Sequence, residues 1–177
     1  MPVPVAPTAA VAGQPSRAGV QFNNLAAQAA YVIGGMPLFI GRQATVQAIP
    51  NAVWTAVTLD AADADRDSGH SNTVNNSRYT SQTAGWYEVQ GAGSFSNATT
   101  GRRIVRLQAN NSSIPGSGIG GVSFSNANAL TLQTTSLFYL SVGDYLELAL
   151  YQDSGAAVNT SVNAQELSRL VARWVST

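Results

Sequence analysis

The stretch Ala84-Gly85-Trp86-Tyr87-Glu88-Val89 decides how the chain is read, with Ala98-Thr99-Thr100-Gly101-Arg102-Arg103 close behind it. Strand side chains alternate between faces, so Tyr87 and Val89 share one face while Trp86 and Glu88 share the other. Ser96-Asn97-Ala98-Thr99-Thr100-Gly101 is a cluster of turn formers. The run behind it puts Val105 and Leu107 on one face and Arg102 and Arg106 on the other. Strand, polar turn and strand read as a β-hairpin near the middle of an all-β domain.

Working outward, short alternating runs recur with turn signals between them, the pattern of a sandwich. Strands are expected over 39–48, 53–59, 77–82, 85–95 and 102–109. Further strands are expected over 122–124, 129–134, 136–141, 145–152 and 158–162. A long polar loop is expected over 60–76. The span 110–121 is expected to be loop-like, with short strand pieces. In 145–152 the alternation is clean, with Leu146, Leu148 and Leu150 on one face and Tyr145, Glu147, Ala149 and Tyr151 on the other. The last run, 166–175, has helical propensity and strand alternation alike, and the residues leave the choice open.

The first nineteen residues have no hydrophobic period, and Pro2, Pro4, Pro7 and Pro15 favour extended backbone. This reads as an arm, either a solvated tail or a docking segment that orders on a partner, and its low charge favours the second, with Val3, Val5, Val11, Val20, Phe22 and Leu25 as the expected apolar anchoring residues. A short helix is expected over 23–33, capped by Asn23 or Asn24 and stopped by Gly34-Gly35. The arm is taken as 1–37 and the domain as 38–177. The proline-broken start has neither a basic n-region nor a long apolar core, so neither a signal peptide nor a membrane span is expected.

Composition narrows the function. Hydrophobic residues make up 45% of the 177, enough for a core, but only 10% are charged against a usual quarter. The surface is therefore rich in Ser, Thr, Asn, Gln and Ala, which suits a protein held in an assembly. Net charge is zero and no basic stripe exists, which argues against a nucleic-acid partner. Without cysteine there is neither a disulfide framework nor thiolate chemistry.

The order Ser77-Arg78-Tyr79-Thr80, then Gly85-Trp86-Tyr87, Arg102-Arg103, and Val142-Gly143-Asp144 before an alternating strand resembles a known module. It is similar to the compact jelly roll shared by tumour necrosis factor and the globular heads of complement, in the version found in virion proteins of tailed bacteriophages. The likeness runs from about Leu38 to Val175. It implies an all-β, antiparallel jelly-roll sandwich of about ten strands, with the last run a strand paired beside the N-terminal ones. It also implies a homotrimer packed around a threefold axis. Trp86, Tyr87, Phe138, Tyr139 and Trp174 are the interface candidates, since adjacent aromatics on a strand face opposite ways and buried interface centres favour them. Trp54, Tyr145 and Tyr151 complete the notable aromatics.

Chemistry finds little footing. Asp60, Asp63, Asp65 and Asp67 crowd one loop, and Asp63, Asp65 and Asp67 are weak calcium candidates. The EF-hand spacing fails, because Gly69 falls one place late and Val74 stands where the closing Glu belongs. His70 is the only histidine, and a hydrolase would need it beside an activated Ser. No G-x-S-x-G motif is present, and in the resembling module a similar Gly-His segment looks structural. Gly116–Gly121 matches a dinucleotide fingerprint by letter only, and is expected to be a flexible loop. Glu88, Glu147 and Glu166 are not placed across a cleft by any pattern. Asn72, Asn75, Asn76, Asn110, Asn111 and Asn126 supply polar loop groups for a host glycan. The expectation is a non-enzymatic, cofactor-free phage virion protein anchored by its arm to other virion proteins and released by lysis. It would be a capsid decoration or head-fibre protein, or alternatively a glycan-binding tail protein.

Overall fold

The structure is a computed structural model, and it describes residues 17–30, 34–97, 99–122 and 129–177. The chain divides into two compact units, Met1–Met36 and Pro37–Thr177. In the first, helix α1 runs over Arg17–Ala30 and buries none of its residues. It starts at Arg17, not Asn23, so Asn23 and Asn24 lie inside it rather than capping it. Ala, Gln and Leu dominate the stretch and outweigh two asparagines in propensity. Val20, Phe22 and Leu25 are exposed on this helix. Val3, Val5 and Val11, and residues 31–33 of the expected helix, lie outside the described residues.

The second unit is an antiparallel jelly-roll sandwich. Its first strands are β1 (Leu38–Arg42), β2 (Ala48–Ile49), β3 (Thr55–Ala56), β4 (Ala61–Asp65) and β5 (Arg78–Thr80). The middle of the chain supplies β6 (Gly85–Phe95), β7 (Arg102–Ala109), β8 (Ser112–Ser113), β9 (Ile119–Val122) and β10 (Leu130–Leu140). The rest are β11 (Tyr145–Gln152), β12 (Val158–Asn159), β13 (Val162–Asn163), β14 (Glu166–Leu167) and β15 (Arg169–Ser176). One sheet has the order β10-β6-β15-β1-β4. The other has the order β3-β11-β7-β8, with β5 also on β11 and β9 also on β7. Two small pairs, β12 with β2 and β13 with β14, close the rim.

The expected hairpin does not form. β6 lies in the five-stranded sheet and β7 in the six-stranded one, so the turn carries the chain across the sandwich. Their apolar faces meet through the core instead of their edges through hydrogen bonds. Gly91 and Gly93 make this approach possible: a Cβ at Gly91 would fall 2.6 Å from Leu148 Cδ1, and one at Gly93 2.5 Å from Val105 Cγ2. The core between the sheets holds Phe39, Leu59, Tyr79, Tyr87, Val89, Phe95, Leu107, Leu140, Leu146, Leu148, Leu150 and Leu170, all fully enclosed.

Other boundaries shift for tertiary reasons. The expected strands 39–48 and 53–59 shrink to short pieces. The expected loop 60–76 contains β4, which pairs with β1 in register Phe39 with Asp65 and Arg42 with Ala61. Four aspartates lower strand propensity, but an open edge on β1 supplies the partner. Likewise Ile119–Val122, which overlaps the glycine loop expected at 116–121 and the span expected to hold only short strand pieces, is a strand seated on β7. The two expected pieces 129–134 and 136–141 are one strand, β10, held along all of β6. Residues 123–124 of the expected strand 122–124 are outside the described residues. The ambiguous last run is a strand, β15, between β1 and β6.

Candidate functional site

Three surfaces of the sandwich carry exposed chemistry. The first is the outward face of the five-stranded sheet. Tyr139 stands opposite Trp86 in the β10–β6 register, and their rings meet edge-on at 5.7 Å and 77°. Both rings are exposed, and Leu137 and Val175 extend the apolar patch. Next to it the Gln90 amide and Arg173 both donate to Glu88 and hold its carboxyl below the usual range. A shallow concavity of about 450 Å³ continues along the same face, lined in part by Gln90, Gln133, Thr135 and Arg169. Of the five aromatic interface candidates, Trp86 and Tyr139 are the ones on this surface. Tyr87 is fully enclosed in its own chain, because alternation turns it inward, and its hydroxyl donates to Thr83 O at 2.7 Å. Phe138 and Trp174 pack partly buried against the core, and Trp174 Nε1 donates to Ala84 O at 3.1 Å.

The second surface is the aspartate loop, and it does not assemble a metal centre. Asp63 pairs with Arg42 at 2.9 Å. Asp65 accepts the backbone N–H groups of Gly69 and His70. Asp67 accepts the Tyr79 hydroxyl at 2.7 Å. Among the described residues no three His, Asp or Glu side chains converge as metal ligands. Burial and Asp67 push the Tyr79 phenol far above its ordinary range. His70 is tied on both sides, with Nδ1 2.7 Å from Arg78 O and Nε2 2.9 Å from Leu59 O. Its ring packs on Phe39 at 4.8 Å. Both ring nitrogens are thus engaged by backbone, and neither is aimed at a serine hydroxyl. Beside it Asn75, Gln82, Tyr145 and Arg78 line a polar hollow of about 500 Å³. Glu147 is buried rather than surface-facing, and accepts from Ser77 Oγ at 2.7 Å and Arg78 Nε at 3.2 Å. Asn110 is spent on Asp144, which its amide reaches at 2.8 Å.

The third surface is the outward face of the six-stranded sheet, and its arrangement is not visible in the sequence. Trp54 precedes β3, Tyr151 is the penultimate residue of β11 and Arg106 lies on β7, and the order β3-β11-β7 brings the three together. The Arg106 guanidinium carbon lies 3.7 Å from the Trp54 ring centroid. Trp54 and Tyr151 rings lie 5.3 Å apart. Arg102 pairs with Asp153 at 2.8 Å, which raises its pKa and lowers that of the carboxylate. Nothing in the linear spacing of 54, 106 and 151 predicts that they meet.

The fold therefore defines this chain as an antiparallel jelly roll of the type found in compact globular heads. Solved structures agree. The PRD1 vertex protein superimposes with a TM-score of 0.55 at 18% identity, covering 80% of this chain and 98% of that one. The globular domain of zebrafish complement 1qA protein gives 0.53 at 14% identity, over 78% and 96%. Murine APRIL gives 0.54 at 11% identity, over 77% and 98%. No protein-family model matches the chain, and no curated protein matches it in sequence.

Proposed function

We propose that this chain is a non-enzymatic surface protein of a bacteriophage virion, trimeric, and anchored through its N-terminal arm. The observation that carries the reading is the outward face of the five-stranded sheet. It presents Trp86, Tyr139, Leu137 and Val175 side by side, exposed by 42, 46, 57 and 47%. A contiguous apolar patch of this kind, rimmed by the Glu88–Arg173 pair, suits contact with further copies of the chain. The scarcity of charge fits a surface covered in an assembly. The PRD1 vertex protein is a particle component with this fold, which supports the virion setting.

On the particle the chain is a capsid decoration or head-fibre protein. Three arms tied to one trimer multiply weak single contacts through effective concentration. The expected test is direct. Purified particles are labelled with an antibody fragment raised against residues 37–177 and imaged. Label over the head supports decoration, label at the tail tip alone moves the protein to host contact, and no label on intact particles overturns the virion reading.

A further inference from the structure

We infer that the outward face of the six-stranded sheet holds a binding site for a carboxylate-bearing sugar ring, built from Arg106, Trp54 and Tyr151. The inference is separate from the particle reading and uses a different face of the molecule. It starts from an imbalance of charge. Arg42, Arg78, Arg102 and Arg173 each meet a carboxylate. Arg106 meets none among the described residues, although it is partly buried and burial pulls its pKa down. Its Nε is shielded from solvent and has no hydrogen-bond partner. A polar atom buried without a partner carries a cost, and the partly exposed remainder of the guanidinium is the part a ligand can reach.

The surroundings say what that something is. The Arg106 guanidinium carbon sits over the Trp54 ring at 3.7 Å, a cation–π contact that restrains the side chain. A fixed guanidinium edge matches a carboxylate through two parallel N–H bonds. Ala149 stands opposite Arg106, and Ala56 opposite Ala149, so small side chains flank it and leave the indole room. Tyr151 sets a second ring 5.3 Å from Trp54, tilted by 41°. Aromatic rings beside Arg106, a cation with no carboxylate partner among the described residues, suit a ring-shaped ligand with a negative charge. A polyanion such as nucleic acid would need a row of free cations, and the neighbouring Arg102 is neutralised by Asp153.

The test uses the full chain with D-glucuronate, D-glucose and acetate as probes. Saturation-transfer NMR is expected to show contact with glucuronate and much less with glucose. In the unsubstituted protein, the Arg106 Nε–H resonance is expected to shift on titration with glucuronate, a readout that needs no variant. Arg106→Gln is expected to weaken glucuronate binding by about tenfold or more, as loss of a bidentate charged pair does. Tyr151→Leu is expected to weaken glucuronate without changing acetate. Acetate binding as tightly as glucuronate would overturn the sugar assignment. An unmoved Arg106 resonance, or equal transfer to glucose and glucuronate, would overturn the site.

Discussion

At the scale of single residues, two positions show how the fold limits its own chemistry. Tyr79 is fully enclosed and its hydroxyl donates to Asp67, whose second carboxylate oxygen is buried without a partner. Tyr79→Phe is expected to cost about 1.5–3 kcal/mol, since it removes a bond to a charged acceptor, and urea unfolding measures it. The same phenol carries a pH dependence. Its folded pKa is raised above the ordinary 10.0, so the fold favours the protonated form. That contribution is complete below pH 10 and declines as pH rises beyond it, because only the unfolded phenol then releases its proton. Alkaline titrations of stability are expected to fall more steeply for the unsubstituted protein than for Tyr79→Phe. Gly85 is the other position. Its φ of 148° and the approach of Ser176 O, 2.4 Å from where a Cβ would stand, leave no room for a side chain. Gly85→Ala is expected to push Trp174 off Ala84 O, lower the melting temperature and change tryptophan emission.

At the scale of elements, long alternating runs were readable and pairings were not. β6, β7 and β11 have the expected bounds, because each supplies its own apolar face, although Glu147 and Ala149 on the second face of β11 are buried too. Which strand lies beside which depends on edges elsewhere in the chain, so β6 and β7 read as a hairpin while lying in opposite sheets. β4 and β9 stayed hidden for the same reason: their backbones are recruited by β1 and β7, not by their own side chains. The aromatic pairs were readable as one-in, one-out, yet only the structure tells that Tyr87 is the inward member and Tyr139 an outward one. The Arg106 cluster needed three non-consecutive elements and left no linear trace. The β6–β10 face offers the element-scale prediction. Trp86→Glu is expected to reduce the solution mass measured by light scattering to that of one chain, with the circular dichroism spectrum unchanged. Retention of the larger mass would remove this face from the subunit contact.

At the scale of the whole molecule, the chain divides after Met36 into two units, and the core lies in the second. A chain beginning at Pro37 keeps every core residue named above. It is expected to melt within a few degrees of the full chain, but to be lost from particles on washing in a reconstitution assay. A large drop in melting temperature would mean that the arm contributes to the fold itself. The sandwich also fixes where its ends emerge. β1 and β15 are antiparallel neighbours with Leu38 opposite Arg173, so the last strand finishes beside the start of the first. A cargo peptide fused after Thr177 would therefore leave the domain next to Leu38. The exposed turn at Gly155, Ala156 and Ala157 lies at the opposite end of the strands, near the Arg102–Asp153 pair. For vaccine display or affinity tagging, that turn is the insertion point that places a payload at the end of the domain remote from Leu38 and Ser176.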